Sequence, residues 1–136
     1  MAIGRFPGGH ANIIPIVGGF FEGERLKGTI MPLGADWTPR YNVGEIKARV
    51  DTRYILKTDD GAMISLFTEG VLRGHVFGLI KGTMSKKKDA SLYYFRQHLF
   101  FSTGDARYAW LNTAVGFAVI GIGPDKLVCY DAYMLT

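Results

Sequence analysis

Apolar and polar positions alternate along most of the chain with a period of two, the pattern of β-strands that bury one face. In the segment EIKARVDTRYILKT, residues 45–58, Ile46 and Val50 fall on one side and Arg49 and Asp51 on the other. No stretch sustains the i, i+3, i+4, i+7 spacing of an amphipathic helix, so we expect no helices. The other predicted strands are NIIPIVGG, GERLKGTIMPL, AMISLFT, HVFGLIKG, LYYFRQHLFFS, ARYAWLN, AVGFAVIGIG and KLVCYDAYML.

Two turn signals connect these segments. Asp59-Asp60-Gly61 joins residues 45–58 to the strand AMISLFT, which Glu69-Gly70 ends. Asp-Gly suits a type I′ turn, whose two central residues need positive φ, so this pair of strands is predicted to form a β-hairpin. Pro124-Asp125 supplies the last predicted turn.

About eight strands without helices predict an all-β fold, either a sandwich or a closed barrel. Because closure removes exposed strand edges, we favour a single antiparallel β-barrel that forms one domain over residues 1–136. A barrel of about eight strands encloses either a filled core or one small-ligand cavity.

Composition narrows the functional classes. Of the 136 residues 48% are hydrophobic, enough for a real core, and the net charge is only +4. The basic run 86–88 predicts a solvated loop, and no basic stripe indicates a nucleic-acid partner. No apolar stretch has the length of a signal peptide or a membrane span, so we expect a cytoplasmic protein without a membrane partner. Cys129, the single cysteine, lies in an apolar run and is expected to be buried and inert.

The segment SLYYFRQHLFFST has two distinct faces. Tyr94, Arg96 and His98 share one face, whereas the alternate residues from Tyr93 to Phe101 form a more apolar face that should meet the core. Arg96 would then lie in solvent. In the alternative arrangement, Tyr94 and Arg96 line a polar cavity while the apolar face packs against another subunit. A guanidinium in such a cavity can hold a carboxylate or an enolate at two points.

Two other residues, Asp131 and Trp110, each allow a structural and a functional interpretation. Asp131 stands alone among apolar neighbours in the last strand, so it is either paired with an arginine or functional. Trp110 offers a large ring with one polar atom, which suits a core or a cavity. His10, His75 and His98 lack metal-ligand spacing, and no nucleotide-binding glycine motif opens a helix, so we expect neither a metal nor a cofactor.

Four blocks in a fixed order resemble the bacterial and fungal domain of unknown function family 3237. They are IPIVGGFFEGERLKGTIMPLGADW, ARVDTRYILKTDDGAMI, YYFRQHLFFSTGDARYAWLN and VCYDAYML. The resemblance implies a single antiparallel β-barrel, with kinship to the barrels of allene oxide cyclases and dirigent proteins. Those barrels steer cyclisation or coupling of small organic molecules in a cavity, without a nucleotide.

The resemblance also marks residues that turns do not explain, and it favours Arg96 lining a cavity. It marks Asp36, Arg96, Tyr94 and Arg53, and it implies that Asp36 and Trp37 lie at a barrel mouth beside Arg96 or Arg53. If the protein is an enzyme, we expect these four to be catalytic: Asp36 is the general base, Arg96 or Arg53 holds an enolate or a carboxylate, and Tyr94 donates a proton. For substrate binding the resemblance marks Trp37, Tyr54 and Trp110, and the strand patterns add His98 and Asp131.

Three functions remain open at this point, and the third of them is a structural protein whose barrel is filled with side chains. The first is a cofactor-independent enzyme, an isomerase, cyclase or lyase that acts by acid/base chemistry on a small organic molecule. The second is a non-catalytic small-molecule-binding barrel. Family members usually have an additional strand upstream of the first block, where this sequence has only residues 1–12. A barrel lacking a strand would expose an edge, so we expect a homo-oligomer in which another subunit covers it.

Overall fold

The computed structural model describes residues 1–74, 93–122 and 127–135, and this part of the chain is mostly antiparallel β-strand, as predicted. One short 3₁₀ helix, Ala106–Thr113, accompanies the strands in the described ranges. The strands are β1 Ala2–Phe6, β2 Gly9–Asn12, β3 Ile14–Pro15, β4 Gly19–Glu22, β5 Lys27–Asp36, β6 Pro39–Tyr41, β7 Ile46–Thr58, β8 Met63–Gly74, β9 Tyr93–Ser102, β10 Val115–Ile122 and β11 Val128–Leu135.

All eleven strands belong to one sheet, in the order β1-β2-β6-β7-β8-β9-β10-β11, while β5 also pairs with β7 and carries β3 and β4. Among the described residues the sheet does not close, because β11 pairs only with β10, and β3 and β4 each pair only with β5. The all-β class is therefore confirmed, whereas a closed barrel of eight strands is not. The strand number is higher because the first third of the chain is divided into short strands.

The β7–β8 hairpin is confirmed, but it is longer than predicted. Thr58 accepts a backbone hydrogen bond from Gly61 at 3.0 Å, so the hairpin is closed by a four-residue turn in which Gly61 takes a positive φ of 92°. Glu69 and Gly70 do not end β8, which continues to Gly74. Gly70 instead permits a close approach of β9, since a Cβ there would lie 2.2 Å from the Arg96 carbonyl oxygen.

The core lies on one face of β7–β10, called the buried face here. It is formed mainly by small and aliphatic side chains, with Ile64 and Ala118 fully buried. Tyr54 on β7 and Tyr130 on β11 reach across this face and hydrogen-bond through their hydroxyl groups. Because three strands separate β7 from β11 in the sheet, this contact shows that the buried face is strongly curved.

The segment ARYAWLN was predicted as a strand, and this prediction is wrong. Asp105 caps a 3₁₀ helix by accepting the Arg107 backbone N–H at 3.0 Å, and Tyr108 donates to the Asp60 carboxylate at the hairpin tip at 2.9 Å. Leu111 is fully buried in the core. The spacing of three between Tyr108 and Leu111 suits a 3₁₀ helix, which repeats every three residues.

Cys129 is exposed on β11, which corrects the expectation of a buried thiol. The predicted strand HVFGLIKG, the loop with the basic run 86–88 and the turn at Pro124-Asp125 lie outside the described residues.

The Tyr54–Tyr130 hydrogen bond is expected to stabilise the curvature of the sheet. Replacing either tyrosine by phenylalanine leaves the other buried hydroxyl unpaired, so each single variant should lose about 1–2 kcal/mol of unfolding free energy. The double variant leaves no orphaned hydroxyl and should lose less than the sum, with a coupling of about 1 kcal/mol. Urea unfolding of the four proteins measures this coupling, and additive losses would contradict it.

Candidate functional site

A cleft of about 980 Å³ lies over the face of β7–β10 that is opposite the buried face. We call this side of the sheet the cleft face. The side chains that line the cleft and carry chemistry are Trp37, Glu45, Arg49, Asp51, Glu69, Arg73, Tyr94, Arg96, His98 and Phe117. The cleft therefore combines guanidinium, carboxylate, imidazole and aromatic groups over one patch of sheet.

One row of the cleft floor holds two carboxylates and an imidazole. In the strand register Asp51 is directly opposite Glu69, Glu69 is opposite His98, and His98 is opposite Phe117. Directly opposite side chains on antiparallel strands have Cβ atoms about 4.5–5.5 Å apart. We call Asp51, Glu69 and His98 the acid/base row.

A second row, two residues further along the strands, carries positive charge. Arg49 is opposite Val71, and Val71 is opposite Arg96, so an apolar side chain lies between two guanidinium groups. A two-residue step along a strand is about 6.6 Å, which sets the separation of this arginine row from the acid/base row.

Tyr94 lies between two arginines. The Arg73 guanidinium carbon is 4.3 Å from the centroid of the Tyr94 ring, and that of Arg96 is 5.0 Å from it. Arg96 also donates to its neighbour, the Phe95 carbonyl, at 2.9 Å. Cation–π contacts and this hydrogen bond thus hold two positive groups around one phenol.

The guanidinium groups of the cleft lack carboxylate partners within the described ranges. Ion pairs in this part of the chain join Lys27 to Asp59 and Arg107 to Asp60 and Asp105, and none of these residues lines the cleft. No carboxylate in the described part of the chain therefore neutralises the guanidinium groups of the cleft.

Four of the nine site residues inferred from the sequence meet in the cleft, namely Trp37, Tyr94, Arg96 and His98. Trp37 is 44% exposed, and its backbone N–H donates to the Asp51 carbonyl at 2.8 Å, which fixes it beside the acid/base row. The apolar face of β9 meets the core as its pattern indicated, since Gln97 and Leu99 are buried. Arg96 nevertheless lines a polar cleft, on the other side of the sheet.

Asp36 lies apart from these groups. It ends β5 opposite Thr52, whose side chain is on the buried face, and its carboxylate accepts a hydrogen bond from the Thr38 hydroxyl. Asp36 and Trp37 are consecutive in an extended segment, so their side chains point to opposite sides of it. The sheet thus separates Asp36 from Arg96.

The remaining four inferred residues do not line the cleft either. Arg53 is on the cleft face of β7 but stacks over Phe67, with its guanidinium carbon 4.7 Å from the ring centroid. Tyr54 is in the core, where it bonds to Tyr130. Trp110 packs against the core under the guanidinium of Arg25, at 3.6 Å, and Asp131 is exposed on β11.

The sequence interpretation missed Arg49, Asp51, Glu69, Arg73 and Phe117. Alternation alone had placed Arg49 and Asp51 on the polar face of β7. Nothing in the sequence fixes the strand register that brings them beside His98. Glu69 and Arg73 were missed because Glu69-Gly70 was interpreted as the end of the strand, which left both residues outside the predicted sheet.

A family model described as a protein of unknown function, DUF3237, matches residues 1–135. The chain belongs to this family. A UPF0311 protein of Rhodopseudomonas palustris (strain TIE-1) is 35% identical over 108 residues, which cover 79% of this chain and 69% of that protein. A UPF0311 protein of Bradyrhizobium diazoefficiens is 33% identical over 121 residues, 88% of this chain and 77% of its own length.

Solved structures show the same barrel-like fold in the family. A β-barrel-like protein from Acinetobacter baumannii is 40% identical with a TM-score of 0.80, over 100% of this chain and 85% of that chain. A conserved protein of unknown function from Rhodopseudomonas palustris is 28% identical with a TM-score of 0.84, over 98% of this chain and 86% of that chain. An enzyme from Penicillium herquei has a TM-score of 0.69 over 98% and 80%, and at 16% identity it shows the fold alone.

Within the described ranges, no group of three or more His, Cys, Asp and Glu side chains is placed to hold a metal ion. In the same part of the chain, no helix is long and apolar enough to cross a membrane.

Asp36 is expected to make stability depend on pH. Burial raises the pKa of its carboxyl group above the usual value, although the Thr38 hydroxyl, the Asp51 backbone and Arg40 act in the opposite direction. The folded state therefore keeps this proton to higher pH than the unfolded state, so the free energy of unfolding falls as pH rises through that interval and stays lower above it.

Asp36→Asn should remove this dependence and be at least as stable as the parent protein near neutral pH. Urea unfolding from about pH 4 to about pH 8 compares the two proteins. A variant that loses more stability than the parent as pH rises would contradict the sign of the shift.

Proposed function

We propose that this protein is a cofactor-independent enzyme that acts on a small organic molecule by acid/base chemistry in the cleft. The observation that supports this most strongly is the acid/base row, in which Asp51, Glu69 and His98 follow one another on three neighbouring strands. Arginines that form no ion pair with another described residue lie beside this row. Proton transfer needs a positioned acid and base close to groups that stabilise developing charge, and the cleft provides both.

In this proposal each group has a separate task. His98 moves the proton, because imidazole is the side chain whose charge changes most readily near neutral pH. Glu69 is directly opposite His98 and supplies a second proton-transfer group beside it. Arg96 binds a carboxylate of the substrate, and Tyr94 holds the Arg96 guanidinium in place through their cation–π contact. Isomerisation, cyclisation and elimination all begin with such a proton transfer.

The fold is compatible with catalysis, since the Penicillium herquei protein with the same fold is described as an enzyme. That likeness extends to the fold only. The role of Asp36 as general base stays a prediction, and we assign proton transfer to His98 because Asp36 lies on the other side of the sheet from Arg96.

Binding without catalysis is the second candidate function. The aromatic walls of the cleft, Trp37, Tyr94 and Phe117, are 44%, 41% and 39% exposed, and a bound molecule would cover them whether or not it reacts. A small-molecule carrier needs such walls and the arginines, but it does not need the acid/base row.

Proton exchange distinguishes the two functions. The purified protein is incubated in D₂O with a panel of enolisable aldehydes, ketones and carboxylates, and proton NMR follows the loss of exchangeable C–H signals. An enzyme of this kind should catalyse exchange in at least one compound, and heat-denatured protein should not. Binding of panel compounds without catalysed exchange would favour the carrier.

Self-association also stays a prediction. In the described part of the chain, β11 is an edge strand whose outward face exposes Tyr133 and Leu135 by 48% and 62%. An exposed edge with large apolar side chains favours contact with another subunit.

A further inference from the structure

We propose that the molecule bound in the cleft is a small ring-bearing carboxylate, held through its carboxylate by Arg73 and Arg96, which both contact the Tyr94 ring. The inference rests on the proposed function for the position of the reacting atom, but its test measures binding alone. It adds the substrate class and the direction in which the substrate lies.

The first step is the charge distribution within the cleft. Three guanidinium groups surround the side chain of Val71, because Arg49 and Arg96 are its direct partners on the neighbouring strands and Arg73 follows it by two residues on β8. The carboxylates Asp51 and Glu69 occupy the next row. One end of the cleft floor therefore carries three positive charges around the apolar side chain of Val71. The other end carries the acid/base row.

The second step is that the guanidinium groups at the positive end of the cleft floor are held in place without a ligand. Arg73 and Arg96 both stack on Tyr94, so their guanidinium planes are restrained before any ligand binds. Restrained guanidinium groups lose less conformational freedom on binding, and their fork geometry matches a carboxylate at two points. This arrangement selects a planar anion over a neutral polar group.

The third step is the position of the aromatic walls. Trp37 is beside the β7 end of the acid/base row, and Phe117 is directly opposite His98 at its other end. An apolar group bound between them would lie above Glu69 and His98. The two rows are about 6.6 Å apart, which suits a carboxylate joined to a single six-membered ring.

The ligand is therefore expected to place its carboxylate over Val71 and its ring over the acid/base row. This orientation brings a carbon of the ligand's ring, or of a substituent on it, to His98. The carboxylate of the ligand lies two residues away along the strands. Arg73 is a specificity-determining residue in this arrangement, because it contacts the anion and not the reacting carbon.

The test uses three probes that share one ring, namely benzoate, phenyl phosphate and benzamide, titrated into the full chain and followed by NMR. Trp37 and Trp110 are the only tryptophans, so the spectrum has two indole N–H signals, which Trp37→Phe assigns. Benzoate should shift the Trp37 signal and leave that of Trp110 in place, because Trp110 packs against the core. Benzamide should bind at least about tenfold more weakly, having lost the charge-assisted hydrogen bonds.

Two arginine variants and one control locate the anion. Arg96→Gln and Arg73→Gln should each weaken benzoate binding at least about tenfold. Lys57→Gln removes the same charge from the far end of β7 and should leave the affinity unchanged. An unmoved Trp110 signal shows that a variant is folded, and either arginine variant alone tests the proposal if the other fails to fold.

The proposal is overturned if benzamide binds as tightly as benzoate, if Lys57→Gln weakens binding as much as the arginine variants, or if the Trp110 signal moves in place of that of Trp37. Phenyl phosphate binding more tightly than benzoate would overturn the choice of carboxylate. Benzoate binding by a protein that catalyses no proton exchange would remove the proposed function and leave this inference standing.

Discussion

Replacing His98 by glutamine is expected to lower kcat by about 10²–10⁴-fold for any compound that the protein turns over, the usual contribution of a positioned acid or base. Glutamine keeps much of the side-chain size but cannot take up a proton. Because His98 lies in the acid/base row and not among the arginines, the affinity for the substrate should change little.

The matched control is His10→Gln, which removes a histidine from β2, outside the cleft lining. Arg96→Gln should show the opposite kinetic pattern, with a KM raised at least about tenfold, because the lost contact binds the anion in ground and transition states alike. Equal kcat for His98→Gln and the parent protein would show that proton transfer occurs elsewhere, and Asp36→Asn would then become the decisive variant.

Gly34→Ala is expected to cause the largest loss of stability of any single methyl addition in the described strands. Gly34 has a φ of 106°, and a Cβ on it would lie 1.9 Å from the Arg53 carbonyl oxygen on the neighbouring strand. The added Cβ belongs to the backbone of β5 and the atoms that it would meet belong to the backbone of β7, so neither strand can move aside easily. We expect a loss of more than about 3 kcal/mol, from left-handed strain together with the separation of β5 from β7.

Gly61→Ala separates these two causes. Gly61 also has a positive φ, of 92°, but nothing lies within 4 Å of an added Cβ, so only the conformational cost of about 1–2 kcal/mol should remain. Chemical denaturation of both variants gives the difference. Equal losses at the two positions would mean that β5 does not approach β7 as closely as the structure shows.

The fold class followed from the sequence because alternation is a local signal. In β7 every second side chain from Ala48 to Thr58 is buried, which is the alternation that the sequence displays. The 3₁₀ helix Ala106–Thr113 was missed because its stability comes from distant partners, Asp60 at the hairpin tip and the core around Leu111. Alternation in the segment ARYAWLN predicted a strand, whereas the structure has a 3₁₀ helix capped by Asp105.

The candidate site was only partly predictable, since it depends on strand register. Tyr94, Arg96 and His98 were recognised because they share one face of a single strand. Glu69 and Asp51 join them through pairing across three strands, which a sequence without the fold does not specify. The family resemblance implied that Asp36 and Trp37 lie together at a barrel mouth, but adjacent residues of an extended chain face opposite ways.

The most direct test of the account is to measure intermolecular nuclear Overhauser effects between the ring protons of bound benzoate and the methyl groups of the protein. Val71 lies at the centre of the arginine cluster on the cleft face, whereas Leu66 and Leu99 are on the buried face. We expect contacts to the Val71 methyl groups from the ring protons nearest the carboxylate. Contacts to Leu66 and Leu99 would contradict the account, because they would place the ligand inside the curved sheet.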